Sequence, residues 1–269
     1  VRYTFDHLDL IQEVLKRSPF GLITDVDGTI SEIAPTPKEA RVSPSCRRYL
    51  RVLSNHLALV AAISGRPVAQ VRDMIGIRGM VYIGNHGLER WTGNHTELLN
   101  NTRDYLGVVK SVIRELNPLG SMAGVSIENK GLTVTIHYRL SSEPPVVERE
   151  ILDSVKALAQ AKDLRVIMGK MAINLLPPVE IDKGSATLDL IKEYSLHGSL
   201  YLGDDLTDLD AFRALHTAAR DLNFQGFAIV ITGSEMPEKL AAEADFTLNG
   251  VRDVGRFLKW LSQNVPQPG

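Results

Sequence analysis

Two blocks of alternating strand and helix signals, one toward each end of the chain, most constrain how it can fold. In the first block the short β-rich runs FGLIT, LALVAAIS and MVYIGN are separated by SPSCRRYLRVLSNH and PVAQVRDMIG, and Tyr49, Leu50, Leu53 and Leu57 recur at helical spacing. In the second, KGSATLDLIKEYS and DLDAFRALHTA read as helices around the strand SLYLGD, and GFAIVIT follows as another strand. Strands that alternate with helices require a parallel sheet covered by those helices, because parallel neighbours need a long crossover. The middle of the chain breaks this pattern. NTRDYLGVVKSVIREL and PPVVEREILDSVKALAQA read as helices, and each precedes a hairpin pattern, one turning at Asn129-Lys130-Gly131 and the other at Gly169-Lys170. The expected fold is therefore α/β. It has a Rossmann-like parallel-sheet core, residues 1–103 and 179–269, and an inserted smaller α/β domain, 104–178, made of an antiparallel sheet and two helices. VRYTFDHLDLIQEVLKR reads as an amphipathic surface helix rather than a secretion signal.

Composition excludes several function classes. The formal charge of -2 gives no general attraction to nucleic acid or to anionic lipid. No apolar run approaches the ~18 residues of a membrane span. The single cysteine, Cys46, rules out an internal disulfide framework and a thiolate metal cluster; it reads as a small buried hydrophobe and fits a reducing compartment. The expectation is a soluble, cytoplasmic monomer with no nucleic-acid or membrane partner. Trp91 and Trp260 are expected to pack in or near cores.

The residues that carry chemistry follow apolar strands. In an open parallel sheet, ligands gather beyond the carboxyl ends of the strands. Asp25, Asp27, Ser64 and Asp204 each stand at such an end. Carboxylates that meet in one crevice repel each other unless a cation offsets their charge, and an all-oxygen set points to Mg²⁺. A carboxylate beside that ion can attack phosphorus, and a second acid two positions on can hand a proton to the leaving oxygen and take one from water. Period-two geometry places Asp25 and Asp27 on one side of an extended segment. Gly28 allows close backbone approach, so that amides and the Thr29 hydroxyl can bind phosphate oxygens. Ser64 and the Gly65 amide are further donors, and Lys183 can neutralise both nucleophile and phosphoryl group. Asp205 is expected to hold metal-bound water and Asp208 to orient Lys183, although acids at a helix start also serve as caps. Asn85, His86 and Glu89 are ambiguous: a histidine in such a place is more often a hydrogen-bonded structural residue, and His86 is kept as a candidate cleft liner only.

DVDGT, ISGR, DKG and GDDLTD resemble, in order, the four motifs of the haloacid dehalogenase-like phosphatases. Within that superfamily the chain most resembles the trehalose-6-phosphate phosphatase family, through DVDGTISEIAPTPKEA, NHGLE, IENKGLTVTIHYR, GKMAINLLP and GDDLTDLDAF. The resemblance implies an α/β cap that closes over a sugar while the core holds Mg²⁺ and phosphate. It implies Asp25 as nucleophile, Asp27 as acid and base, Ser64 and Lys183 as phosphate ligands, and Asp25, Asp204 and the Asp27 carbonyl as metal ligands. It assigns sugar contacts to Glu128, Lys130, Arg139 and Lys170. Asn174 departs from the family, which usually carries Glu there, and Leu176 stands where Arg is common. The implied substrate is a small-molecule sugar phosphate, trehalose 6-phosphate; Asn174 keeps sucrose 6-phosphate and the glycosyl-3-phosphoglycerates in play. A non-catalytic sugar-binding regulatory domain is the reading from another class.

Overall fold

The computed structural model describes residues 1–99, 102–221, 223–233 and 238–265. They form two compact units, Val1–Glu97 with Ile181–Gly269, and Leu98–Glu180. The sequence reading sets the smaller unit at 104 to 178, so both limits move outward.

The first half of the larger unit runs through β1 (Arg2–Tyr3), α1 (Leu8–Leu15), β2 (Phe20–Thr24), α2 (Pro44–Leu53), β3 (Leu59–Ile63), α3 (Val68–Ile75), β4 (Val81–Gly84), β5 (Glu89–Trp91) and β6 (Thr96–Leu98). α2 opens with Pro44, whose fixed φ and missing N–H suit a first turn, and it buries Cys46, Leu50 and Leu53. The expected N-terminal helix is shorter than its amphipathic pattern. Arg2 and Tyr3 instead pair in parallel with Phe246 and Thr247, and the helix begins only at Leu8. An open strand edge captures the first residues there, so tertiary pairing overrides local periodicity.

In the smaller unit α4 (Tyr105–Leu116) leads to the hairpin β7 (Ser126–Asn129) and β8 (Val134–His137), and α5 (Pro144–Ala161) leads to β9 (Arg165–Gly169) and β10 (Ala172–Leu176). The sheet order is β7-β8-β10-β9, antiparallel throughout. Its register sorts side chains by face. Val134, Ile136, Ile173 and Leu175 pack with Val109, Val112 and Leu116 of α4 and Ile151 and Val155 of α5. The alternate row, Glu128 opposite Thr135 and Thr135 opposite Asn174, lies on the face away from the helices.

The second half of the larger unit comprises α6 (Lys183–Glu193), β11 (Gly198–Gly203), α7 (Leu209–Asp221), β12 (Gln225–Thr232), α8 (Glu238–Glu243), β13 (Phe246–Asn249) and α9 (Gly250–Asn264). Its sheet has the order β1-β13-β12-β11-β2-β3-β4-β5-β6. Strands β1 through β4 and β11 to β13 pair in parallel, and β5 turns back antiparallel on β4. β2, β3 and β11 are buried along their whole length, which is why they read as continuous apolar runs. Alternation within them feeds two cores: Leu22, Leu200 and Leu202 face α1, α2 and α9, while Ile23 and Tyr201 face α6 and α7. β2 and β11 are neighbours and both end at acids, so the fold brings Asp25 and Asp204 to one edge of the sheet. Among the described residues no helix is long and apolar enough to cross a membrane.

Candidate active site

Strand pairing carries the first acid into place. The Asp25 N–H donates to the Leu202 carbonyl at 2.8 Å, so the ladder between β2 and β11 extends one residue beyond β2. The chain then turns at Gly28, whose φ of +84° favours glycine. A Cβ at that position would stand 1.8 Å from Asp204 Oδ2, so the close approach of the Gly28 backbone to the second acid also requires glycine. Thr29 is buried, and its hydroxyl donates to Asp204 Oδ1 at 3.4 Å. The hydroxyl expected on phosphate is thus used to orient Asp204.

α6 supplies the positive charge. Asp182 caps this helix: its carboxylate accepts from the Ser185 N–H at 2.8 Å and its own N–H donates to Ser185 Oγ at 3.1 Å. That fixes Lys183 at the first helical position, where Nζ donates to Asp25 Oδ1 and to Asp208 Oδ1, both at 2.7 Å. Asp208 Oδ1 also accepts from the Tyr201 hydroxyl at 2.8 Å, and Oδ2 accepts from the Asp204 and Asp205 N–H groups at 3.0 Å. Asp25, Asp204 and Asp208 carry oxygens within 4.8 Å of one another. Asp208 has both oxygens engaged in orienting Lys183 and the Gly203–Asp205 turn, which leaves Asp25 and Asp204 as the pair that suits a cation. Asp205 Oδ1 accepts from the Leu206 N–H, the cap of the following helical turn.

The electrostatics follow from burial. Removal from water pushes the Asp25 carboxyl well above the ordinary carboxylate range; Lys183 opposes the shift, and Asp208 and Asp204 add to it. Burial alone would lower the Lys183 ammonium, but Asp208 and Asp25 outweigh it and hold that proton firmly. Burial and the neighbouring acids likewise raise Tyr201, keeping it a hydroxyl donor.

The third strand end contributes Ser64, Gly65 and Arg66. Ser64 is buried and its Oγ accepts from the Arg66 N–H at 3.2 Å. Asn85 and His86 both have left-handed backbones. Their N–H groups donate to the carbonyls of Arg66 and Ser64, at 2.8 and 3.0 Å. The His86 ring then lies so close over Gly65 that a Cβ there would be 2.6 Å from Cε1. His86 is buried, and it braces the Ser64-Gly65 turn. Glu89 accepts from the Val68 N–H at 2.8 Å and so caps α3; burial raises its carboxyl, against the Val68 and Asn85 hydrogen bonds. Arg66 spans Asp27 as a fork, Nε to Oδ2 at 2.6 Å and Nη2 to Oδ1 at 2.8 Å. Sequence reasoning missed Arg66, Tyr201 and the capping role of Glu89; only Arg66 had a local signal, its place in ISGR.

In the smaller unit, Glu128 Oε2 lies 2.8 Å from His137 Nε2, accepting from it in the tautomer that carries its proton there, and 3.8 Å from Lys130 Nζ. The Thr135 hydroxyl donates to Asn174 Oδ1 at 2.7 Å, and Asn174 Nδ2 donates to the Ile167 carbonyl at 3.4 Å. Arg139 Nη2 donates to the Lys170 carbonyl at 3.1 Å. The unit thus brings Glu128 and Asn174 onto one polar face and joins Arg139 to Lys170 at one end of the sheet, with Lys130 in the turn at the other end. His137 belongs to this polar face and was not anticipated.

A parallel sheet whose carboxyl edge carries Asp25, Asp27, Ser64, Lys183 and Asp204 defines the haloacid dehalogenase-like class of α/β proteins. The trehalose-phosphatase family model matches residues 23–251. A trehalose-phosphate phosphatase of Mycobacterium leprae is 31% identical over 269 residues, covering 96% of this chain and 61% of the relative. An uncharacterized glycosyl hydrolase of Mycobacterium tuberculosis is 33% identical over 257 residues, covering 92% of this chain and 18% of the relative. The chain therefore spans less than two thirds of the length of either relative. The C-terminal domain of a C. albicans trehalose-6-phosphate phosphatase has a similar fold, with a TM-score of 0.79 at 23% identity over 96% of this chain and 97% of that one. The chain belongs to the trehalose-phosphatase family.

Proposed function

We propose that this chain is a phosphomonoesterase for a phosphorylated sugar, trehalose 6-phosphate first among them, acting through an aspartyl-phosphate on Asp25. The observation that carries this reading is the buried set in which Lys183 bridges Asp25 and Asp208 while Asp204 lies beside them. In this scheme an Asp25 oxygen attacks phosphorus as the bond to the sugar oxygen breaks, and that oxygen takes a proton from Asp27. Water then attacks phosphorus, yields a proton to Asp27 and frees the Asp25 carboxylate. Ser64, the Gly65 amide and Lys183 hold the phosphoryl oxygens.

The donor set fits Mg²⁺. Asp25 and Asp204 are hard oxygen donors at the ends of adjacent strands, with oxygens within 4.8 Å of one another, and the Asp204 carboxylate lies so close over the Gly28 backbone that a Cβ there would collide with it. With the Asp27 carbonyl they would hold the ion, which when bound relieves repulsion between the carboxylates and offsets phosphoryl charge. Glu128, Lys130, Arg139 and Lys170 are proposed to contact the sugar, a reading supported by the polar face of the smaller sheet.

Asn174 favours a second reading. Its carbonyl and amide are engaged by Thr135 and Ile167, and as a neutral group it accepts hydroxyls less strongly than a carboxylate. A different glycosyl phosphate is therefore the alternative substrate. The test is phosphate release from trehalose 6-phosphate, sucrose 6-phosphate and glucosyl-3-phosphoglycerate, compared by kcat/KM. The expected result is a preference for trehalose 6-phosphate, lost in EDTA and restored by Mg²⁺. Release by none of the three would overturn the phosphatase reading.

A further inference from the structure

We infer that Arg66 is a positioning residue for Asp27, holding the acid and base in line and tying its position to the loop between β2 and α2. The inference rests on the phosphatase reading above. All three guanidinium nitrogens are committed: Nε and Nη2 to the two Asp27 oxygens, and Nη1 to the Pro37 carbonyl at 2.9 Å. The Arg66 side chain is 10% exposed, whereas Asp27 is 35% exposed, so a buried cation grips the more open carboxylate. A planar fork of this kind fixes both the position and the plane of a carboxylate, which a lysine cannot do.

Arg66 is itself held from behind. Its carbonyl accepts from Asn85, its N–H donates to Ser64 Oγ, and the neighbouring Val68 N–H is capped by Glu89. Asn85 and His86 keep left-handed backbones to make these bonds. The β4–β5 turn, Ser64, Arg66 and Asp27 thus form one chain of contacts from the phosphate-binding turn to the proton-transfer group. The proton step needs Asp27 in a set orientation twice, once to protonate the departing sugar oxygen and once to take a proton from the attacking water. In this inference Arg66 acts through the Asp27 carboxylate that it holds.

The test uses the full chain with two substrates, trehalose 6-phosphate and 2,4-dinitrophenyl phosphate, whose leaving group departs without a proton. Arg66→Gln is expected to lower kcat on trehalose 6-phosphate by about 100-fold, the scale of general acid and base catalysis. KM and inhibition by inorganic phosphate should stay within about threefold. Arg66→Lys should recover only part of the loss. In the first turnover the loss should be at least about tenfold smaller with the aryl phosphate, and Asp27→Asn should show the same substrate dependence. Equal losses on both substrates, or a rise in KM and in the phosphate inhibition constant, would place Arg66 on the phosphoryl group or in the turn alone and overturn the inference. If the unsubstituted chain releases phosphate from neither compound, the phosphatase reading and this inference fall together. Circular dichroism and melting temperature establish that each variant is folded before rates are compared.

Discussion

Lys183 holds two buried carboxylates, and removing it leaves both without their counter-ion. Breaking a buried pair in this way costs about 3–5 kcal/mol, more than the pair contributes as a whole, because the remaining charges stay desolvated. Lys183→Met is therefore expected to lower the urea midpoint strongly and to abolish phosphate release. Retained stability would mean that Asp25 and Asp208 find other partners. Gly28 gives a second prediction at this scale. Gly28→Ala places a side chain in a left-handed backbone, at about 1–2 kcal/mol, and against the Asp204 carboxylate. Activity should fall further than stability, measured by kcat against urea midpoint, since the displaced group is a metal-ligand candidate. These positions were legible in the sequence because Gly28 follows an apolar strand and its acids, and Lys183 opens a helix in the DKG motif. Arg66 was not. A lone arginine gains its meaning from Asp27, 39 positions away in sequence, and only the fold supplies that partner.

Elements whose signal is local were also legible. β2, β3 and β11 show as apolar runs because both faces are buried, and the hairpins of the smaller unit show as alternation around turn residues. β1, β5 and β13 have two to four residues each and carry no period to read; pairing with a neighbour defines them. One inter-element contact predicts a pH response. His216 of α7 meets the Asp245 carboxylate at 3.1 Å, and that carboxylate also accepts from the Ala228 N–H of β12 at 2.8 Å. The hydrogen bond to Asp245 raises the imidazolium above its ordinary value of 6.5. The folded state then binds the proton more tightly than the unfolded state does. Its contribution is fully present below about pH 6.5 and is lost as pH rises through the higher folded value. The pair is partly exposed, so the effect is at most about 1 kcal/mol. Urea midpoints at pH 6 and pH 8.5 should differ in this direction, and His216→Gln should shrink the difference. An unchanged difference in that variant would assign the pH dependence elsewhere.

The larger unit is completed by sequence segments on both sides of the smaller one. Alternation at the two ends of the chain announced this, because neither block alone supplies enough parallel strands to bury the other's. The exact limits were not readable, since no Gly- or Ser-rich linker marks either junction. The division matters for function: Asp25 comes from the first segment, and Lys183, Asp204 and Asp208 from the second. If Mg²⁺ binds the folded site and not the unfolded chain, it must raise the melting temperature. Such a rise is expected for the unsubstituted chain and not for Asp204→Asn; equal rises in both would locate the ion elsewhere. The central claim is that these segments together make Asp25 a nucleophile toward phosphorus, and acid-quenched peptide mass spectrometry during turnover of trehalose 6-phosphate tests it most directly. The account predicts one phosphoryl group on the peptide that contains Asp25, absent from Asp25→Asn. Phosphate release with no adduct on that peptide, or with the adduct on another residue, would contradict it.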